Sequence, residues 1–249
     1  VNAGTGTAGV HLGVHPGQRV ALVTGAARGI GLAISLALEQ DGCHVWRLDR
    51  EGLVSGDRLL RADVRVRDDL LSAVQRVVAL DGGLDILVNN AGTMTTGPHL
   101  QTTPEDFQTL VDTNLGGIFH AVQVFGPHMR RGGSIVNIAS VSAERGGGAV
   151  GNVWYGATKA AVVALTSGLA RELGPLGVRV NAISPAVIDT DLTHAALTPE
   201  VRARTLTRLP LGRLAEVFDV ADATVFLCSA AARFITGATL RVDGGFLTA

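Results

Sequence analysis

The 249 residues include one lysine, Lys159, and one tyrosine, Tyr155, four positions apart. For two residues placed at random in that order, the chance of this spacing is about one in 250. The chain uses arginine 20 times, so a different cation has been kept at this one place. An ammonium is a compact charge that fits beside a phenol, whereas guanidinium is a broad planar fork. On a helix, positions i and i+4 share a face. A phenol titrates near 10, and service as a base at neutral pH needs that lowered by roughly 3 units, about 4 kcal/mol. A nearby ammonium favours the phenolate.

A second group of residues suits a dinucleotide. The run Thr24-Gly25-Ala26-Ala27-Arg28-Gly29-Ile30-Gly31 follows a β-branched stretch and opens a helical one. Glycine is needed where backbone turns tightly, approaches a pyrophosphate, or lets helix pack close to strand. The helix N-terminus then offers N–H groups to phosphate. Asp49 ends the second β-branched run. A carboxylate there accepts hydrogen bonds from both adenosine ribose hydroxyls and repels a 2′-phosphate, which favours NAD over NADP. Arg28 and Arg50 stand on the other side, since either can bind a 2′-phosphate. NADP therefore stays open. Asp63-Val64 follows the third run, where it can meet the adenine or simply end a strand.

These residues need a scaffold, and the pattern supplies one. Strands are predicted over Arg19–Thr24, His44–Asp49, Leu59–Ala62, Asp85–Asn89, Ser134–Ala139, Val178–Ile183 and Thr239–Val242. Helices are predicted over Ile30–Gln40, Asp68–Leu80, Pro104–His128, Tyr155–Leu173 and Glu216–Ser229. The alternation predicts an α/β fold: a doubly wound, mostly parallel seven-stranded sheet in a Rossmann-like three-layer α/β/α arrangement. Arg50–Arg58, with Gly52 and Gly56, is too short and glycine-rich for a helix, so the crossover helix expected there is lost. Residues 1–18 read as a flexible extension and 19–249 as one domain.

Composition excludes several classes. Net charge is −1, against a dedicated nucleic-acid or anionic-membrane binder. Cys43 and Cys228 form no CxxC, and no metal site is indicated. No apolar stretch is long enough to span a bilayer, and the N-terminus lacks signal-peptide character. The expected location is cytoplasmic.

The chain resembles the single-domain short-chain dehydrogenase/reductase family from Arg19 to its end. The resemblance rests on Gly25, Gly29 and Gly31, Asn89-Asn90-Ala91-Gly92, Asn114, Ser140, Tyr155-x-x-x-Lys159, Asn181-Ala182-Ile183-Ser184-Pro185 and Val242-Asp243-Gly244-Gly245. It implies an oxidoreductase passing a hydride between NAD(H) and a secondary alcohol or ketone. Tyr155 would be the general acid/base. Lys159 would assist it, helped by the positive nicotinamide, and would hold the nicotinamide ribose. Ser140 would hydrogen-bond the substrate oxygen, and Asn114 would hold a water linking Lys159 to solvent. Family spacing counted back from Tyr155 gives Ser142 instead. Counting along the fifth strand gives Ser140, with Gly146-Gly147-Gly148 absorbing two residues; a strand end is fixed by its sheet, so Ser140 is the choice.

Further roles are implied by the same resemblance. Asn90, Ala91 and Gly92 would line the cofactor's ribose side, and Pro185, Ile188 and Thr190 would lie near the nicotinamide. Ala186 replaces the family's glycine, which puts local backbone geometry in question. Thr93, Met94, Ser142, Val150, Trp154 and Val187 would line a mostly apolar substrate pocket suited to an alicyclic or aliphatic alcohol. A lid is expected over about 191–213, its arginines more simply read as a solvated helix face. Arg131 and Arg171 match docking positions of acyl-carrier-protein ketoreductases, so NADPH-dependent 3-oxoacyl-thioester reduction is the alternative. A catalytically silent dinucleotide-binding protein is the third reading. A homotetramer is implied.

Overall fold

Strand–helix alternation gives a single seven-stranded sheet in the computed structural model, which describes residues 17–51, 58–148 and 150–248. Most of the expected N-terminal extension and of the expected missing crossover helix lies outside those residues. The strands are β1 (Val20–Thr24), β2 (His44–Asp49), β3 (Leu59–Arg61), β4 (Leu84–Asn89), β5 (Met129–Ile138), β6 (Arg179–Pro185) and β7 (Thr239–Val242). The helices are α1 (Gly29–Gln40), α2 (Arg67–Asp81), α3 (Pro104–Val111), α4 (Gly117–Phe125), α5 (Ser142–Arg145), α6 (Val153–Leu173), α7 (Pro199–Leu206) and α8 (Val217–Cys228). Sheet order is β3-β2-β1-β4-β5-β6-β7, every pair parallel. The order reverses at β1, and ligands in such sheets bind beyond the strand C-termini at that switch.

Alternation within each strand sorts the core into two layers. On β1, Val20 and Leu22 join Trp46, Leu70, Val77 and Phe125, beneath α2 and α4. Ala21 and Val23 join Ile34, Leu38, Val220 and Leu227, beneath α1 and α8. Both faces of the sheet are thus buried, which is why its strands read as continuous apolar runs.

Two predicted elements differ. The helix expected over Pro104–His128 stays helical but changes type: a π-turn, Asp112–Gly116, lies between α3 and α4, and Gly126–His128 closes it as a 3-10 turn. Asn114 sits inside that turn, 1% exposed, with its amide bonded to loop and helix neighbours. A side chain with partners across the fold outweighs the helical pattern, and π-turns of this kind recur at functional sites. Strand β5 begins five residues earlier than the predicted Ser134, with a register shift opposite Leu84 and Ile86. Two glycines, Gly132 and Gly133, hid that part from a β-propensity reading. No helix among the described residues is long and apolar enough to cross a membrane.

Candidate active site

The C-terminal ends of β1, β2, β4, β5 and β6 surround a cavity of about 780 Å³. It is lined by Gly25, Arg28, Gly29 and Ile30 from the first loop, and by Asp49, Asp63 and Val64 at one end. Asn90, Ala91, Gly92, Ser140, Tyr155, Lys159, Pro185, Ile188 and Thr190 complete it. The predicted dinucleotide residues are therefore brought together, apart from Gly31, which acts by packing. A Cβ on Gly31 would stand 2.1 Å from the Gly25 carbonyl oxygen, so only glycine lets α1 approach its strand. Gly25 has φ +64 and Gly29 φ +56, the left-handed region that glycine enters freely. Asn90 locks the loop: its Nδ2 donates to the Thr24 and Gly25 carbonyls, while Thr24 Oγ1 accepts from the Asn90 and Ala91 N–H groups.

Residues and cavity fit a dinucleotide. The residue before α1, Arg28, makes no side-chain cap, so first-turn N–H groups stay available to phosphate. At the far end, Asp49 accepts from the Ala27 N–H at 2.9 Å, which fixes its carboxylate at the mouth. The two arginines that compete with it have other partners: Arg28 pairs with Asp191 and Arg50 with Glu51. Asp63 is bound by Arg65, whose guanidinium holds its carboxyl below the usual range.

Tyr155 and Lys159 lie on the buried face of α6, 8% and 5% exposed. Lys159 Nζ donates to the Ile138 carbonyl at 2.7 Å. One acceptor leaves ammonium protons for a ligand. Gly92 packs beside the ammonium, its Cβ position 3.7 Å from Nζ and 3.2 Å from Asn114 Oδ1. Burial pushes the Tyr155 phenol up to about 12, with a hydrogen bond to Ser140 acting the other way. Burial brings Lys159 down to about 8. Burial thus favours the protonated phenol in the coenzyme-free chain.

Ser140, at the end of β5, is the serine brought to Tyr155. Its Oγ accepts from the Ser142 N–H at 3.1 Å, which turns its proton away from that loop. Gly146, Gly147 and Gly148 have φ of +69, +102 and +145, backbone that glycine enters freely. Asn114 is held on both sides of its amide. Both its amide protons are spent, on the Thr93 carbonyl and Thr158 Oγ1, and its Oδ1 accepts from the Thr93 N–H. Its side chain thereby pins the Thr93 loop to α6.

Met94, Ser140, Ser142, Val150, Tyr155 and Val187 surround a smaller cavity of about 50 Å³. Thr93 lines the larger one instead. Trp154 reaches neither: its ring packs edge-on against Phe107 at 5.6 Å and is partly exposed. Position i−1 on a helix points about 100° away from Tyr155, which sequence adjacency conceals. Ala186 needs no positive φ, since among the described residues only glycines have one. In the segment expected to form a lid, Arg202 pairs with Asp189 and Arg213 with Asp219. Exposed His194 lies beside Asp189. Arg131 lies at the start of β5, roughly 20 Å or more along the strand from its active end. Arg171 lies in the last turn of α6, about 24 Å from Tyr155. Neither expected docking residue is beside the cavity of its own chain.

Sequence reasoning missed Asn152. It caps α6, its Oδ1 accepting from the Trp154 and Tyr155 N–H groups, and also accepts from Thr95 Oγ1 at 2.7 Å. Its Nδ2 donates to Thr102 Oγ1 at 2.9 Å. An asparagine just before a helical stretch was the available signal.

Comparison with known proteins gives consistent results. A family model described as enoyl-(acyl carrier protein) reductase matches residues 25–247. The 3-oxoacyl-[acyl-carrier-protein] reductase FabG of Staphylococcus aureus is 38% identical over 243 residues, 90% of this chain and 96% of that protein. Among solved structures, a short-chain dehydrogenase/reductase of the glucose/ribitol dehydrogenase type from Brucella melitensis is 37% identical. It has a TM-score of 0.85 and covers 92% of this chain and 96% of its own. A 3-ketoacyl-(acyl-carrier-protein) reductase from the same organism, complexed with NADH, is 34% identical with TM-score 0.83, covering 92% and 98%.

Proposed function

Because this chain belongs to the short-chain dehydrogenase/reductase family of oxidoreductases, we propose that it oxidises a secondary alcohol, or reduces the ketone, with NAD(H). The carrying observation is the convergence of Tyr155, Lys159 and Ser140 at the end of β5, open to a cavity with a carboxylate at its far mouth. Bound NAD supplies the hydride acceptor. Gly25, Gly29 and the α1 N-terminus would hold its pyrophosphate, Asp49 its adenosine ribose and Lys159 its nicotinamide ribose.

The remaining chemistry belongs to the chain. In oxidation Tyr155 takes the hydroxyl proton as the adjacent carbon loses its hydride; in reduction it returns that proton. Ser140 donates to the same substrate oxygen as charge develops there. Lys159 adds positive charge beside the phenol and offsets the burial that holds it protonated. Asn114 and Asn152 position the walls: one ties the Thr93 loop, the other the first turn of α6.

NAD is the favoured coenzyme because the Asp49 carboxylate, held by the Ala27 N–H at the end of β2, would repel a 2′-phosphate. Reduction of 3-oxoacyl thioesters with NADPH is the second reading, favoured by the 38% identity to FabG over nearly the full length. Exposed Phe107 and Phe119 near the α3–α4 turn offer apolar surface that a homotetramer would cover. The test is absorbance of reduced coenzyme, measured with NAD and NADP separately against a panel of secondary alcohols and a 3-oxoacyl thioester. Alcohol turnover with NAD supports the proposal. Thioester reduction confined to NADPH would replace it with the second reading.

A further inference from the structure

Arg145 has no part in the chemistry just described, yet it stands in the substrate cavity. It is the last residue of α5 and lines the inner cavity together with Ser140 and Tyr155. It also lines an outer trough with Pro98, His99, Val150 and Asn152. It therefore lines both the inner cavity and the outer trough.

Its head group is held in place. The guanidinium carbon lies 4.9 Å from the centre of the Phe246 ring. Phe246 is itself 1% exposed, packed with Val141, Val187 and Leu209. On another side lies Gly148, where an added Cβ would come within 3.6 Å of Arg145 Cζ. Stacking on an aromatic face restricts guanidinium while leaving its N–H edge free to donate.

Among the described residues that edge has no ion pair with a carboxylate, and its sequence neighbour Glu144 is engaged by Arg241. Arg208 stands 5.0 Å from the same Phe246 ring and adds like charge. Burial and Arg208 together hold Arg145 below its ordinary value. A cation stacked in a cavity wall, with no ion pair to a carboxylate among the described residues, attracts an anion. A guanidinium edge matches a carboxylate with two parallel hydrogen bonds.

We propose that Arg145 binds a carboxylate on the substrate, so that the cavity selects short hydroxy acids and keto acids over neutral alcohols. This rests on the oxidoreductase reading above and names its substrate class. The probes are sodium 3-hydroxybutyrate and 4-methyl-2-pentanol, a neutral alcohol of nearly the same shape. The quantity read is the ratio of their kcat/KM values with NAD, in the native enzyme, Arg145→Gln and Arg145→Lys. Loss of folded enzyme scales both values equally and leaves the ratio untouched. The native ratio is expected to favour the hydroxy acid. It should fall about 10- to 100-fold in Arg145→Gln and recover in part in Arg145→Lys. An unchanged ratio overturns the proposal.

A second arm needs no turnover. Saturation-transfer NMR of 3-hydroxybutyrate reads binding to the native chain and to Arg145→Gln. Binding weakened tenfold or more by the substitution supports the carboxylate site even if neither alcohol reacts, in which case only the oxidoreductase reading fails. Equal binding to both, or none to either, overturns the carboxylate site.

Discussion

The Lys159 ammonium stands 5.8 Å from the centre of the Tyr155 ring, held there by its hydrogen bond to the Ile138 carbonyl. The pair therefore depends on β5 as much as on the helix that carries both residues. Helical spacing gives the shared face; the strand carbonyl gives the ammonium its place on it.

Tyr155→Phe removes the phenolic proton and keeps the ring. Turnover is expected to fall by about 10²–10⁴-fold, the usual worth of a positioned acid/base. Steady-state kcat measures it. A variant retaining native kcat would remove Tyr155 from the reaction.

Ser140→Ala is expected to lower kcat by about 10²–10³-fold, as loss of a donor to a developing oxyanion does. Ser142→Ala should act mainly on KM, because Ser142 lines only the smaller cavity. The reverse pattern in kcat would make Ser142 the catalytic serine.

Burial sets a pH window for stability. Lys159 titrates at about 8 in the fold against 10.5 otherwise, so unfolding takes up a proton between these values. Stability of the coenzyme-free protein should rise with pH across that interval. Tyr155, raised from 10.0 to about 12, acts oppositely: its contribution is present below pH 10 and lost towards 12. Lys159→Met should thus abolish turnover while stabilising the protein at pH 7 by about 1–3 kcal/mol. Thermal melts across pH check this; a less stable Lys159→Met at pH 7 contradicts it.

Asp49→Ser should lower the preference for NAD over NADP by about tenfold or more, since a fixed negative charge is removed from the ribose end. The ratio of kcat/KM for the two coenzymes reads it. No change in that ratio would leave coenzyme choice to other groups.

Asn152→Ala removes a helix cap and two loop ties. It should cost about 1 kcal/mol of stability and lower kcat more than it raises KM, because Tyr155 sits in the first turn of α6. Asn152→Asp keeps the accepting oxygen and should restore most of both. Failure of that rescue would make the Thr102 contact the important one.

Sequence alone determined the strand order in the chain, the glycine loop, and the Tyr155–Lys159 pair. All of these rest on local signals: two-residue and 3.6-residue periodicities, turn glycines, and a rare residue type at helical spacing. Tertiary structure decided the rest. The serine beside Tyr155 depends on where β5 ends relative to a glycine loop, and Asn114 depends on Thr93 and Thr158. Arg145 gains its meaning from Phe246, near the other end of the chain. Trp154, beside Tyr155 in sequence, faces Phe107 instead. Such contacts join residues far apart along the chain. They are fixed by packing across the sheet, which leaves no periodic trace in the sequence.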